Sequence, residues 1–257
     1  MARVEGCWAN VLDDCDGPLT GEHIVSVAVW SPVPGMPNNR KGKLPRVVTV
    51  GGGPGLLTPG PTTVRHLTSD ILCERHNNTT NDLDEVGGRF ARAVEELDRV
   101  DQARRWAPNL NWAWHTIEVD GPRLQRWFLK TIINNAVGQA LPIGAGAAPG
   151  RPTRELVEMV YGRRPIAFPQ GLFCVARVGN QHSFGEGFQT IFIDQNRQHL
   201  VGALLVFRTL VFGFNFETSR MPPELFDKQA ELRGSSIIQP FNELNFDRTN
   251  VALRLRW

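Results

Sequence analysis

The sequence predicts an α+β protein in three parts: a metal-stapled N-terminal module (1–108), a helical connector (109–164) and an antiparallel β-rich region (165–257). Three observations carry this. Residues 1–84 are dense in Gly, Pro, Asn and Asp and show little helical period, yet hold three of the four cysteines. A helical period follows. Beyond Pro165 the texture changes again, to short apolar or alternating runs separated by turn residues.

The 257 residues, 41% apolar and 21% charged, suffice for a core that needs no disulfides. A net charge of +2 excludes a polycation that coats nucleic acid indiscriminately, so any polyanion site must be local. Only four of the 28 cations are Lys: Lys41, Lys43, Lys130 and Lys228. The longest apolar stretch, 200–216, is broken by Gly202, Arg208 and Gly213 and reads as a strand pair, so no membrane contact is expected. The start, Met1-Ala2-Arg3-Val4-Glu5-Gly6, lacks an apolar signal core. The expected location is cytoplasmic, where thiols stay reduced and cysteines are read first as metal or catalytic groups.

Element by element, Arg46 to Val50 reads as a strand, entered from the basic turn 38–43 and left through Gly51-Gly52-Gly53-Pro54-Gly55. That glycine run is a turn and not a phosphate loop, since no Lys-Ser or Lys-Thr pair follows it. Val86, Phe90, Ala93, Val94, Leu97 and Val100 recur at three- and four-residue steps and predict an amphipathic helix over 85–106. A second helix starts with Asp120 as N-cap and Pro122 in its first turn and runs toward Gly138. Residues 144–152 form a linker or exposed loop before a short helix at 154–161. Runs at 171–178, 188–194, 200–207, 209–216, 235–241 and 250–257 then predict an antiparallel sheet of about five or six strands. His182 and His199 have no Cys or carboxylate cluster beside them at ligand spacing, and Cys174 stands alone in an apolar run.

Chemistry concentrates in the first third. Cys73-x-x-His76 has the spacing of a zinc-ligand pair, and Cys7 with Cys15 supplies a looser pair that needs a small loop between its thiolates. The expected structural zinc site is therefore Cys7, Cys15, Cys73 and His76. The alternative is that these cysteines are ordinary small buried residues. Between the pairs stands Glu22-His23-Ile24-Val25, and Asn77 follows His76 in the string Leu72-Cys73-Glu74-Arg75-His76-Asn77.

This ordered combination resembles the HNH endonucleases of the ββα-metal group. It is closest to bacterial zinc-knuckle members in which a cysteine pair precedes an acidic-His-Ile/Val strand and a Cys-x-x-Cys/His-Asn string comes before a helix. The resemblance covers about the first third of the chain. It implies a metal-dependent phosphodiesterase acting on nucleic acid, DNA in the first place, with His23 as general base. Glu22 and Asn77 would hold a catalytic Mg²⁺ or Mn²⁺ at the scissile phosphate. There are departures: Glu22 stands where the family has Asp, and the family's central Asn has no match, His66, Thr68 and Ser69 being nearest. The interval before Cys73 also carries an insertion, whose Arg40, Lys41, Lys43 and Arg46 are candidate phosphate contacts. The alternative reading is an inactive zinc-stabilised module that binds nucleic acid or a partner. A hydrolase or sensor seated in the β-rich half ranks below both.

Overall fold

The computed structural model describes residues 3–23, 46–49, 61–63, 68–177, 188–195, 198–207, 210–218, 236–240, 243–246 and 249–257. A 3₁₀ turn at Trp8–Leu12 precedes β1 (Leu19–His23), which pairs antiparallel with β4 (Thr68–Cys73). Between them, β2 (Arg46–Thr49) and β3 (Pro61–Thr63) form their own antiparallel pair. β4 runs directly into the short helix α1 (Glu74–Thr79) and then the long α2 (Asn81–Arg105). The basic turn with Arg40, Lys41 and Lys43, the Gly51–Gly55 run, His66 and His182 lie outside the described residues.

The helical periods are realised. α2 buries Leu83, Val86, Phe90, Val94 and Leu97. Its partner α3 (Gly121–Gly138) starts where Asp120 accepts a 3.0 Å hydrogen bond from the Arg123 N–H, which satisfies one of the open donors of the first turn. The helices approach closely at Gly87, where an added Cβ would lie 2.3 Å from the Trp127 indole. Phe90 of α2, Phe128 of α3 and Phe212 form a ring cluster with centroids 5.3–5.6 Å apart. Phe212 arrives from the five-stranded sheet, so helices and sheet share one core.

That sheet is antiparallel throughout, in the order β10-β6-β9-β8-β7. Its strands are β6 (Gly171–Arg177), β7 (Phe188–Gln195), β8 (His199–Phe207), β9 (Leu210–Asn215) and β10 (Ser236–Pro240). Cys174 takes a place in β6, and the apolar stretch broken by three residues is the β8–β9 pair. Among the described residues no helix is long and apolar enough to cross a membrane.

Three features depart from the sequence expectation. The last strand, β12 (Val251–Arg256), does not join the antiparallel sheet: it pairs antiparallel with β11 (Glu243–Phe246) and parallel with β5 (His115–Asp120). Arg104 at the end of α2 fastens this return, donating to the carbonyls of Ala113, Thr249 and Asn250. Second, the N-terminal segment, whose Gly- and Pro-rich composition suggests order from a metal in place of a large core, has apolar packing of its own: Cys7, Trp8, Leu12, Ile71 and Leu72 belong to the apolar cluster that extends to Leu255. The boundaries after 108 and 164 thus fall within a continuous core. Third, the 144–152 loop is anchored: Ile143 bridges to Pro152 and Leu200, and Arg151 donates to the Cys7 carbonyl at 2.9 Å. The helix after it is α4 (Arg154–Val160).

Gly87→Ala drives a methyl group into the Trp127 ring and should cost about 1–3 kcal/mol despite the better helix propensity of Ala. Urea unfolding measures this, and an unchanged midpoint would show that α2 and α3 separate freely at this point.

Candidate metal centre

The eight-residue step from Cys7 to Cys15 is bridged by the 3₁₀ turn. Cys7 is its N-cap, Asp13 closes it in the left-handed conformation at φ 59°, and the chain turns back to Cys15. The segment after Cys15 caps α1, since the Pro18 and Asp16 carbonyls accept from the N–H groups of Glu74 and Arg75 at 2.9 and 3.2 Å. These bonds place Cys73, the α1 N-cap, and His76 opposite the first pair.

The four donors converge. The Sγ atoms of Cys73, Cys7 and Cys15 lie 3.1, 3.5 and 3.7 Å from His76 Nδ1, and all four donor atoms fall within 4.8 Å of one another. Tetrahedral zinc with ordinary Zn–S and Zn–N bonds separates such donors by about 3.5–3.8 Å. All four residues are buried. The group could therefore hold a metal ion such as zinc. Burial pushes the Cys7 thiol up to about 12 and raises that of Cys15. Cys7 and Cys15 are therefore held as neutral thiols without a cation, so zinc entry would release protons.

The outer contacts fit the same role. His76 turns its Nε2 to Asp14 Oδ1 at 2.9 Å, which orients the ring with Nδ1 facing the thiols. Burial works against the Asp14 charge, but the bond and charge of Arg163 more than offset it and hold the carboxyl below its ordinary value. Tyr161 donates to the His76 carbonyl at 3.2 Å and packs its ring against the imidazole. The spacing of the ligands gave no sign of Asp14, Tyr161 or Arg163, because the last two arrive from beyond α4.

The resemblance-based residues are placed differently. His23 ends β1, half-buried, and burial lowers its pKa, with Asp84 raising it and Lys130 lowering it further. Asn77 lies on α1 and donates to the Thr20 hydroxyl of β1 at 2.9 Å. Glu22 is 4% exposed, and its Oε1 accepts from Lys130 Nζ at 2.8 Å and from Asn134 Nδ2 at 3.2 Å. The expected open meeting point of Glu22, Asn77 and His23 is not built this way, because Glu22 turns into the α3 interface. Arg46 opens β2, whereas Arg40, Lys41 and Lys43 are not among the described residues. One signal for Lys130 was available: with Asn134 it forms a polar pair one helical turn apart amid the apolar positions of α3.

Comparison with models of protein families, with curated proteins and with solved structures finds no match.

Purified protein should contain one zinc per chain by elemental analysis. Cys73→Ser should lose it and become susceptible to proteolysis around 7–23, whereas full zinc retention would dismiss the tetrad. Asp14→Ala should weaken zinc roughly 10- to 100-fold by freeing the His76 ring. Affinity should fall steadily as pH is lowered, since protons compete for the thiolates.

Proposed function

We propose that this chain is an HNH-type phosphodiesterase acting on nucleic acid, DNA in the first instance, with His23 as general base and a structural zinc at Cys7, Cys15, Cys73 and His76. The observation that carries the reading is the order of elements around the cluster. His23 ends a strand whose antiparallel partner leads directly into the helix bearing Cys73, His76 and Asn77. Asn77 also ties that helix back to β1 at Thr20.

Zinc would supply a four-way cross-link that joins the 3₁₀ turn and the segment at Cys15 to the end of β4 and α1. The depressed pKa of His23 favours the neutral imidazole at pH 7, the form that can take a proton. As it does so the water oxygen bonds to phosphorus, the bond from phosphorus to the sugar oxygen breaks, and the departing oxygen is protonated by solvent. Arg40, Lys41, Lys43 and Arg46 are the proposed phosphate contacts. A catalytic Mg²⁺ or Mn²⁺ at Glu22 and Asn77 does not fit the donors as they stand, because the buried Glu22 carboxylate is bonded to Lys130 and Asn134 of α3.

The engagement of Glu22 also favours a second reading, a zinc-stabilised module that binds nucleic acid or a partner without cleaving it.

A plasmid-nicking assay separates the two. Wild type should nick, and His23→Ala should lose roughly 10²- to 10⁴-fold in rate while keeping its zinc and its DNA affinity. A base must be unprotonated, and the His23 pKa is lowered, so the acid limb of kcat/KM should fall below the ordinary histidine value of about 6.5. Equal nicking by wild type and His23→Ala removes His23 as base, and DNA binding without nicking selects the second reading.

A further inference from the structure

We propose that Lys130 is the resident cation of this hairpin: its ammonium takes the place that a divalent metal would occupy at Glu22 and Asp84, so the native chain binds no Mg²⁺ or Mn²⁺ there. The placement rests on geometry, and only its bearing on which cation serves the hairpin rests on the phosphodiesterase reading.

Lys130 Nζ lies 2.8 Å from Glu22 Oε1 and 2.8 Å from Asp84 Oδ2, and the lysine is 1% exposed. Two carboxylates from separate elements, β1 and α2, thus converge on a single positive charge brought by a third, α3. Carboxylate oxygens are the hard donors that Mg²⁺ and Mn²⁺ select, and Glu22 occupies the sequence position at which the resemblance implies a metal ligand. Asn134, one turn beyond Lys130, fixes the Glu22 carboxylate from Nδ2 and accepts from the Trp8 indole N–H at 3.0 Å through its own oxygen. Glu22 is thus oriented, Asn134 is used at both ends, and the cation is covalently attached to the fold.

A divalent ion could enter only by displacing the buried ammonium, which would leave that charge unpaired. Asp84 is more exposed than Glu22, which gives it the freedom to close on a smaller ion once the lysine is absent. Loss of Lys130 should accordingly turn the pair into a divalent-cation site.

The test uses the zinc-loaded full chain and Mn²⁺ as probe, read by electron paramagnetic resonance of free Mn²⁺ and by thermal unfolding. Wild type should leave the free Mn²⁺ signal undiminished and its Tm unchanged. Lys130→Ala should lower Tm, take up about one Mn²⁺ and recover Tm as it does, whereas Lys130→Ala with Glu22→Gln should do neither. Stoichiometric Mn²⁺ uptake by wild type that is lost in Glu22→Gln overturns the proposal, and this arm decides even if Lys130→Ala does not fold. A folded Lys130→Ala without Mn²⁺ affinity overturns it as well. Nicking by the same samples in metal-depleted buffer is a separate readout. Absent cleavage alongside the expected Mn²⁺ results supports Lys130 as resident cation and removes the phosphodiesterase reading, while Mg²⁺-dependent nicking whose Mg²⁺ response disappears in Glu22→Gln overturns the inference.

Discussion

Everything at the N-terminal end depends on four donor atoms being brought within 4.8 Å of one another. Three of them are thiols, of which burial raises the pKa of Cys7 and Cys15, and a neutral cluster of thiols and an imidazole contributes little attraction of its own. A cation reverses this, because each thiolate gains a bond and the 3₁₀ turn, β4 and α1 become joined at one point. The hydrogen bonds from α1 to Asp16 and Pro18 preset the arrangement, so a metal would close a frame already shaped by the backbone.

A second polar network stands beside the first and works by different physics. Trp8 follows the ligand Cys7, and its indole N–H reaches Asn134, which holds Glu22, which in turn binds Lys130 and through it Asp84. Burial, with a smaller contribution from the Asp84 charge, raises the Glu22 pKa, and Lys130 acts against that rise. Such a pair adds little over an apolar pair of equal volume, yet removing one partner costs about 3–5 kcal/mol because the other charge is left buried. The network therefore contributes less to net stability than to specificity: only one relative placement of β1, α2 and α3 satisfies it.

Local features of the fold were legible in the sequence because their causes are local. The Asp120 cap, the apolar face of α2 and the strand pair within the apolar stretch 200–216 all follow from residues within a few positions of one another. The grouping of Cys73 with His76 was legible for a similar reason, since the Cys-x-x-His spacing fits one turn of helix. What was not legible involves distant partners. The parallel pairing of β5 with β12 joins residues 115–120 to 251–256, and period-two patterning specifies neither partner nor direction. Glu22 could be recognised as an acid next to His23, but whether its oxygens met a metal or an ammonium depended on a lysine more than a hundred positions away.

That lysine also shapes the surroundings of His23. Asp84 draws the imidazole toward its charged form while Lys130 and burial oppose this, and the opposition prevails. Because Asp84 is itself bonded to Lys130, the field at the imidazole is that of a carboxylate already partnered by a cation. A free carboxylate at that place would stabilise imidazolium and weaken histidine as a proton acceptor near neutral pH, whereas the paired one leaves the ring neutral. Positioning of Glu22 and compensation of Asp84 are therefore consequences of one ammonium group, which also adds to the larger effect of burial in keeping the His23 ring neutral; it is delivered by a helix that sequence periodicity marks only as part of the core.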